Sequence, residues 1–506
     1  MIGSRTPGSQ VVRRGLTHTR FSALALLVAV SYVLARIFQW VLSLPVIFGP
    51  DSHSFVPGPG LTGMPNGYFG FEKVSLTGEG VIRPWTVTLP YALLGADFVR
   101  SFAQMLFSAG SYLFLAWVLS RVVRPPKLGA SLGIGVLMAS MTTLVASWDM
   151  LINRESIAIS LTALFLGLAV LAIRDMRWRI YLAANLVALL LTVTRPTIAP
   201  LTVGVLVVLL LVRVCQSRNL DKSQQLLSAL VGVLLLVISV IYPAWISTRI
   251  DGSWADWYGH TMSETQFGYV MADYNPRAES LIEPLRQSGA PECLLEAIPV
   301  DTSEYLGAPW GFAADRNANC PGFTEWFSNS WPSWYYGYLA SNPDYVAKLA
   351  VSGLPLALHP WDNGATTSLV PASLRNLIFP SLEGEEFLGT YDPLFLYWAI
   401  FLGTALIAMV VARGKWRQLW SKSWEWILFF LAVITGSLTS IIANLLLIPS
   451  YPLETNRINV STALTLRFLG VVLAVLVVFK FVDYLKNQKS KSQRPGTEKE
   501  SDYTSQ

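Results

Sequence analysis

The residues best suited to chemistry are acids and arginines that stand where apolar stretches meet polar turns. Asp51 sits in Gly49-Pro50-Asp51-Ser52-His53, where the first long apolar segment gives way to a polar loop. A carboxylate at that point, with His53 beside it, could accept a proton from a hydroxyl that meets it at a membrane surface. Asp149 follows Trp148 in a short turn that leads to Arg154 and Glu155, and Arg195 lies in Thr194-Arg195-Pro196-Thr197. Arg83 precedes Pro84, and Glu454 and Arg457 share a late turn. Each also has a plain structural reading. Pro50, Asp51 and Ser52 are ordinary helix-ending loop residues, Glu155 behind Asn153 suits the first turn of a helix, and Arg195 suits a helix C-terminus. Taken together they form a set that ordinary turns do not need: carboxylates to take protons, and guanidinium groups to grip a phosphate with two donors at once.

What must position these residues is a membrane. The chain has 506 residues, of which 53% are hydrophobic and only 14% charged, and its mean hydropathy is +0.46. A soluble protein carries about a quarter charged residues. The net charge of +5 does not point to nucleic acid, because Lys and Arg occur in short runs between apolar segments and form no basic face. The segments read as about ten membrane-spanning helices: 21–48, 97–119, 128–147, 155–173, 180–194, 197–214, 226–247, 393–412, 426–448 and 458–482. The run at 21–48 is too long for a signal-peptide core. Basic clusters around Arg121, Arg174, Arg213, Arg413 and Lys486 fall between alternate spans or after the last, which places both termini in the cytoplasm and the acids and arginines named above outside. The apolar stretch 346–358, broken by Pro355 and closed by His359-Pro360, reads as an interfacial or re-entrant helix, too short to cross.

The fold is therefore an all-α integral membrane protein, divided into a cytoplasmic segment 1–20, a membrane core 21–247, an extracytoplasmic loop domain 248–392, spans within 393–485 and a disordered tail 486–506. The first outer loop, rich in Gly and Pro, hugs the membrane. The loop domain between the seventh and eighth spans interleaves tryptophans, among them Trp326, Trp331 and Trp334, with Asp and Glu. These rings would form either stacking faces for sugars or a domain core and interface belt. Of three cysteines, Cys293 and Cys320 share that domain and would pair in an oxidising compartment.

At this point the chain resembles a known family. Asp51 after the first span, Arg83-Pro84 with an apolar segment behind it, Gln104 in the second span, Trp148-Asp149 leading to Arg154-Glu155-Ser156, and Thr194-Arg195-Pro196-Thr197 together look like a bacterial GT-C glycosyltransferase. The likeness covers roughly the first 215 residues. It implies transfer of a sugar from a polyprenyl-phosphate donor to a glycan, lipid or protein acceptor of the cell envelope, at a site on the outer face of the plasma membrane. By resemblance Asp51 would be the catalytic acid, Glu155 or Asp149 the acid of the second loop, and Arg195, with Arg154 and Arg457, the contact for the donor phosphate. His53, Arg83, Trp148 and Glu454 would line the cavity. The sequence departs from the family in having one acid, not an adjacent pair, after the first span. A divalent cation has no support from ligand spacing, since the four histidines stand far apart, and no nucleotide-binding glycine motif occurs. The alternative function is a transporter or flippase for a lipid-linked precursor, although the spans carry few ionisable residues apart from Arg36.

Overall fold

A computed structural model describes residues 9–44, 76, 84–123, 125–175, 177–216, 222–247, 266, 270, 279–296, 320–358, 416–447, 459–466, 468–470 and 472. Among these the chain is almost wholly helical and holds no strand. Five helices are long and apolar enough to cross a membrane: Ala23–Leu42, Asp97–Val122, Arg154–Asp175, Pro196–Cys215 and Trp424–Leu446. The eighth expected span, 393–412, lies outside the described residues, as does the tail.

The membrane core is built from α1 (Ser9–Leu42), α2 (Trp85–Leu94), α3 (Asp97–Val122), α4 (Pro126–Ser140), α5 (Thr143–Met150), α6 (Arg154–Asp175), α7 (Trp178–Thr194), α8 (Ala199–Gln216) and α9 (Lys222–Ser247). Helix α6 is apolar on every side, and Ile157, Ala158, Phe165, Ala169 and Ile173 are all buried, as a helix at the centre of a bundle requires. It packs against α3 and α7. Its start carries Glu155 and its last turn Arg174, roughly 28 Å apart at 1.5 Å per residue.

Two expectations from the sequence change. The first helix stops at Leu42, with Ser43 and Leu44 in a closing turn, and does not run on to residue 48. Pro45 follows directly; it lacks an N–H, and it disfavours the helical backbone at the residue before it. The expected third span, 128–147, is not one helix. It breaks between α4 and α5, where Thr142 takes an extended backbone. A break would leave carbonyls bare in hydrocarbon, where each costs several kcal/mol. Here they are filled by side chains of α1: Arg36 Nη1 donates to the Ser140 carbonyl at 3.1 Å and Gln39 Nε2 to that of Met141 at 2.8 Å. These are the two polar residues that interrupt the apolar run of the first span.

A second layer comes from the later chain. Helices α10 (Glu279–Gln287), α11 (Glu292–Leu295), α12 (Phe323–Asn329), α13 (Trp331–Ser341) and α14 (Pro343–Leu358) precede α15 (Trp416–Leu447). Helix α15 packs antiparallel along α8. Its Gly436 lies so close to Leu201 that an added Cβ would meet the Leu201 Cα at 2.7 Å, and Ala432 faces Gly204, the small-residue contact by which membrane helices approach. The C-terminal end of α15 therefore lies at the end of the bundle where α8 begins, next to Arg195.

Helices α10 to α13 carry an apolar cluster of their own. Trp331, fully buried, stacks on Phe327 at 5.6 Å and on Trp334 at 5.0 Å, and its indole N–H donates to Gln266. Trp326 and Trp331 are thus core residues, while Trp334 is half-buried and stacks on Tyr338 at 5.1 Å. Cys293 and Cys320 are joined, with Cα atoms 5.6 Å apart, which ties α11 to the loop before α12. A closed loop of this length is worth about 3–4 kcal/mol by chain entropy. Protein purified without reductant should accordingly show one reactive thiol, Cys215, and reduction should lower the unfolding midpoint of the cluster; three reactive thiols in the native protein would remove the bond.

Candidate functional site at one end of the helix bundle

The ends of α1, α5 and α7 and the starts of α3 and α6 meet at the same end of the bundle, and nearly every buried charge among the described residues is there. Asp149, on the last turn of α5, is 1% exposed and forms an ion pair with Arg36, which is itself fully buried. Its other oxygen, Oδ1, accepts the Ser156 hydroxyl at 2.6 Å. Both carboxylate oxygens are therefore engaged. The carbonyl of Asp149 receives the Ser101 hydroxyl at 3.2 Å, and Ser101 Oγ takes the Trp40 indole N–H at 3.0 Å, so that α1, α3 and α5 are fastened together.

Glu155 and Arg195 make a second buried pair, Nη1 to Oε1 at 2.5 Å, with side chains 1% and 3% exposed. Arg154 adds its Nε at 3.7 Å from the same Oε1. Asn153, just before α6, accepts the backbone N–H of Arg154, the first residue of the helix, at 2.6 Å, one position short of the N–H groups that an N-cap side chain takes. Arg154 is the outward member, 21% exposed. Arg195 is placed by the turn Pro196–Ile198, which starts α8 and leaves Arg195 in a non-helical backbone after α7.

Helix α2 closes over this end. The Tyr91 hydroxyl donates to the Asn153 carbonyl at 3.0 Å and bonds to Gln104, whose amide in turn donates to the Leu151 carbonyl at 3.0 Å. The Thr194 and Thr86 hydroxyls meet at 3.0 Å. Arg100 gives its Nε to the Tyr91 carbonyl at 2.8 Å and pairs with Asp97 at 2.5 Å. Over Asp97, Arg100, Arg36, Asp149, Arg154, Glu155 and Arg195, four guanidinium groups face three carboxylates, which leaves a surplus of positive charge.

The structure thus brings Asp149, Glu155, Arg154 and Arg195 together and buries Trp148 completely within the apolar cluster of α1, α3 and α6. Asp51, His53, Arg83, Glu454 and Arg457 lie outside the described residues. Arg36, Gln104, Tyr91, Ser156 and Thr86 were not picked out as site residues. The available signal was a polar side chain, Arg36 or Gln104, inside an apolar span; Tyr91 and Thr86, in a short apolar piece, gave none.

The opposite ends of the same helices are basic. Arg174 donates to the Arg121 carbonyl, Arg121 lies 4.7 Å over the Trp117 ring, and Arg213 lies 5.6 Å over that of Tyr181. Among the described residues no cluster of His, Cys, Asp and Glu could hold a metal ion. Comparison with protein-family models, with curated proteins and with solved structures found no match to this chain.

Proposed function

We propose that the protein is a polytopic glycosyltransferase of the GT-C kind, which moves a sugar from a polyprenyl-phosphate donor to a cell-envelope acceptor at the outer face of the plasma membrane. The observation that carries this reading is the gathering of four arginines and three carboxylates at one end of the bundle, while Arg121, Arg174 and Arg213 mark the other. By the positive-inside rule the second end is cytoplasmic; with about ten spans both termini lie there, and the end that holds the buried ion pairs faces outward.

In this scheme an acceptor hydroxyl attacks the anomeric carbon of the donor. Its proton passes to Asp51, the bond from that carbon to the phosphate oxygen breaks, and polyprenyl phosphate leaves with its negative charge countered by arginine. Arg154, being partly exposed, meets the phosphate first. Arg195 is held by Glu155 in the same place, and its planar guanidinium is of the kind that grips a phosphate. Asp149, with both oxygens occupied, serves to hold Arg36 and the start of α6. His53, Arg83 and Glu454 keep the expectation of lining the cavity and Arg457 that of meeting the phosphate, all four lying outside the described residues.

Full-length protein in liposomes, given a panel of radiolabelled polyprenyl-phosphate sugars with an envelope extract as acceptor, should consume one donor and release polyprenyl phosphate in equal amount to the sugar transferred. Failure to consume any donor would sink the reading. A carrier is favoured by one feature, the broken element Pro126–Met150, since discontinuous helices line passages in transporters. Here the break is filled by Arg36 and Gln39. Movement of an intact lipid-linked sugar across the vesicle membrane would establish the carrier instead.

A further inference from the structure

Helix α14 (Pro343–Leu358) has two unlike halves. The first is charged and tied to the aromatic cluster: Asp344 and Lys348 are exposed, and Tyr345 is buried there, 5.4 Å from Tyr338. From Leu349 to Leu358 no charged residue occurs. Such a stretch extends about 15 Å, half of what a crossing helix needs.

This second half does not lie on the outside of the bundle end but runs down beside α15. Gly353 sits against Leu445, where an added Cβ would meet the Leu445 Cδ2 at 2.6 Å. Leu354 and Ala357 pack with Leu438, Ile441 and Leu466. The Tyr335 hydroxyl donates to the Leu446 carbonyl at 2.8 Å, which fixes the aromatic cluster at the tip of α15. Contacts of α14 that begin at Leu445 and reach Leu438 carry it about 10 Å down the axis of α15. That part of α15 belongs to the membrane-crossing stretch Trp424–Leu446. On the side of α14 away from this packing, Val351 is 73% exposed.

We propose that the second half of α14 dips into the hydrocarbon layer at the end of the bundle that holds the buried ion pairs, with Val351 against lipid acyl chains and Asp344 and Lys348 at the water boundary. A helix lying flat in the interface would keep a polar face along its whole length; α14 is polar only at its start. Continuity with the lipid-facing surface of α15, where Leu431 is 48% exposed, identifies the occupant as acyl chain. The contact would anchor the aromatic cluster to the membrane without a further crossing.

Spin labels at Val351→Cys, Asp344→Cys and Leu431→Cys, each in a Cys215→Ser background and in phospholipid nanodiscs, test this depth. Relaxation by oxygen should exceed that by a water-soluble nickel chelate at Val351 and Leu431, with the reverse at Asp344. Dominance of nickel at Val351 while Leu431 stays oxygen-dominated would overturn the proposal; nickel at both would overturn the membrane placement of α15 as well. Unsubstituted protein, irradiated with phosphatidylcholine bearing a diazirine in mid-chain, gives an independent reading. Adducts should map within 349–358, and adducts confined to other segments would remove the lipid contact.

Discussion

Arg36→Met should destabilise the folded protein by about 3–5 kcal/mol, the cost of leaving one member of a buried ion pair without its partner. The partner is Asp149, 1% exposed, and the same guanidinium also donates to the Ser140 carbonyl and to Gln39 Oε1, so three buried acceptors lose a donor in one substitution. The figure is large because no water reaches these groups. Arg286 offers the contrast: it bonds Glu283 and Glu292 at the surface, with side chains 46% and 63% exposed. Its hydrogen bonds hold the Glu292 carboxyl below its ordinary range, yet solvent screens most of what such a pair contributes. Asp149→Asn should also destabilise, and Arg36→Met combined with Asp149→Asn should cost less than the sum of the two by about 0.5–3 kcal/mol. Unfolding of the lipid-reconstituted protein, followed by the fluorescence of its tryptophans, measures all three. A loss below about 1 kcal/mol for Arg36→Met would mean that the pair is not buried as described.

Asp51→Asn should leave folding and donor binding intact and lower sugar transfer by roughly 10²–10⁴-fold, the range of a lost general base. The assignment rests on what the other acids already do. Asp149 has both oxygens engaged by Arg36 and Ser156, so it cannot receive a proton from an incoming acceptor without breaking a buried bond, and Glu155 is 1% exposed, against Arg195. The first helix ends at Leu42, nine residues before Asp51 in the sequence. Single-turnover assays with a saturating donor separate the chemical step from binding. If Asp51→Asn transfers sugar at the full rate while Glu155→Gln is inactive yet still binds donor, the base belongs to the second loop.

Hydropathy alone made the helical, membrane-inserted character legible, because burying twenty apolar residues in a row has few other solutions. That the acids and the basic clusters fall at opposite ends of the helices was legible too: α6 begins with Glu155 and ends with Arg174. The pairings were not. Arg36 and Asp149 are 113 residues apart and Glu155 and Arg195 are 40 apart, and nothing local in either partner records the other. The break in the expected third span was hidden for a different reason. Its residues, Ser140, Met141 and Thr142, are all tolerated in a helix, and what permits the interruption is a pair of side chains on another helix. The same holds for Tyr91 and Thr86, whose hydroxyls matter only because α2 folds back on the starts of α3 and α6.

The donors that fill the Ser140 and Met141 carbonyls come from a helix that precedes the broken one in the chain. During synthesis the segment 126–150 follows Arg36 and Gln39 into the bilayer, and they fill the carbonyls that its interruption bares. The order of the chain is thus also an order of assembly: a preceding helix acts as a template on which a later, otherwise unstable one is shaped.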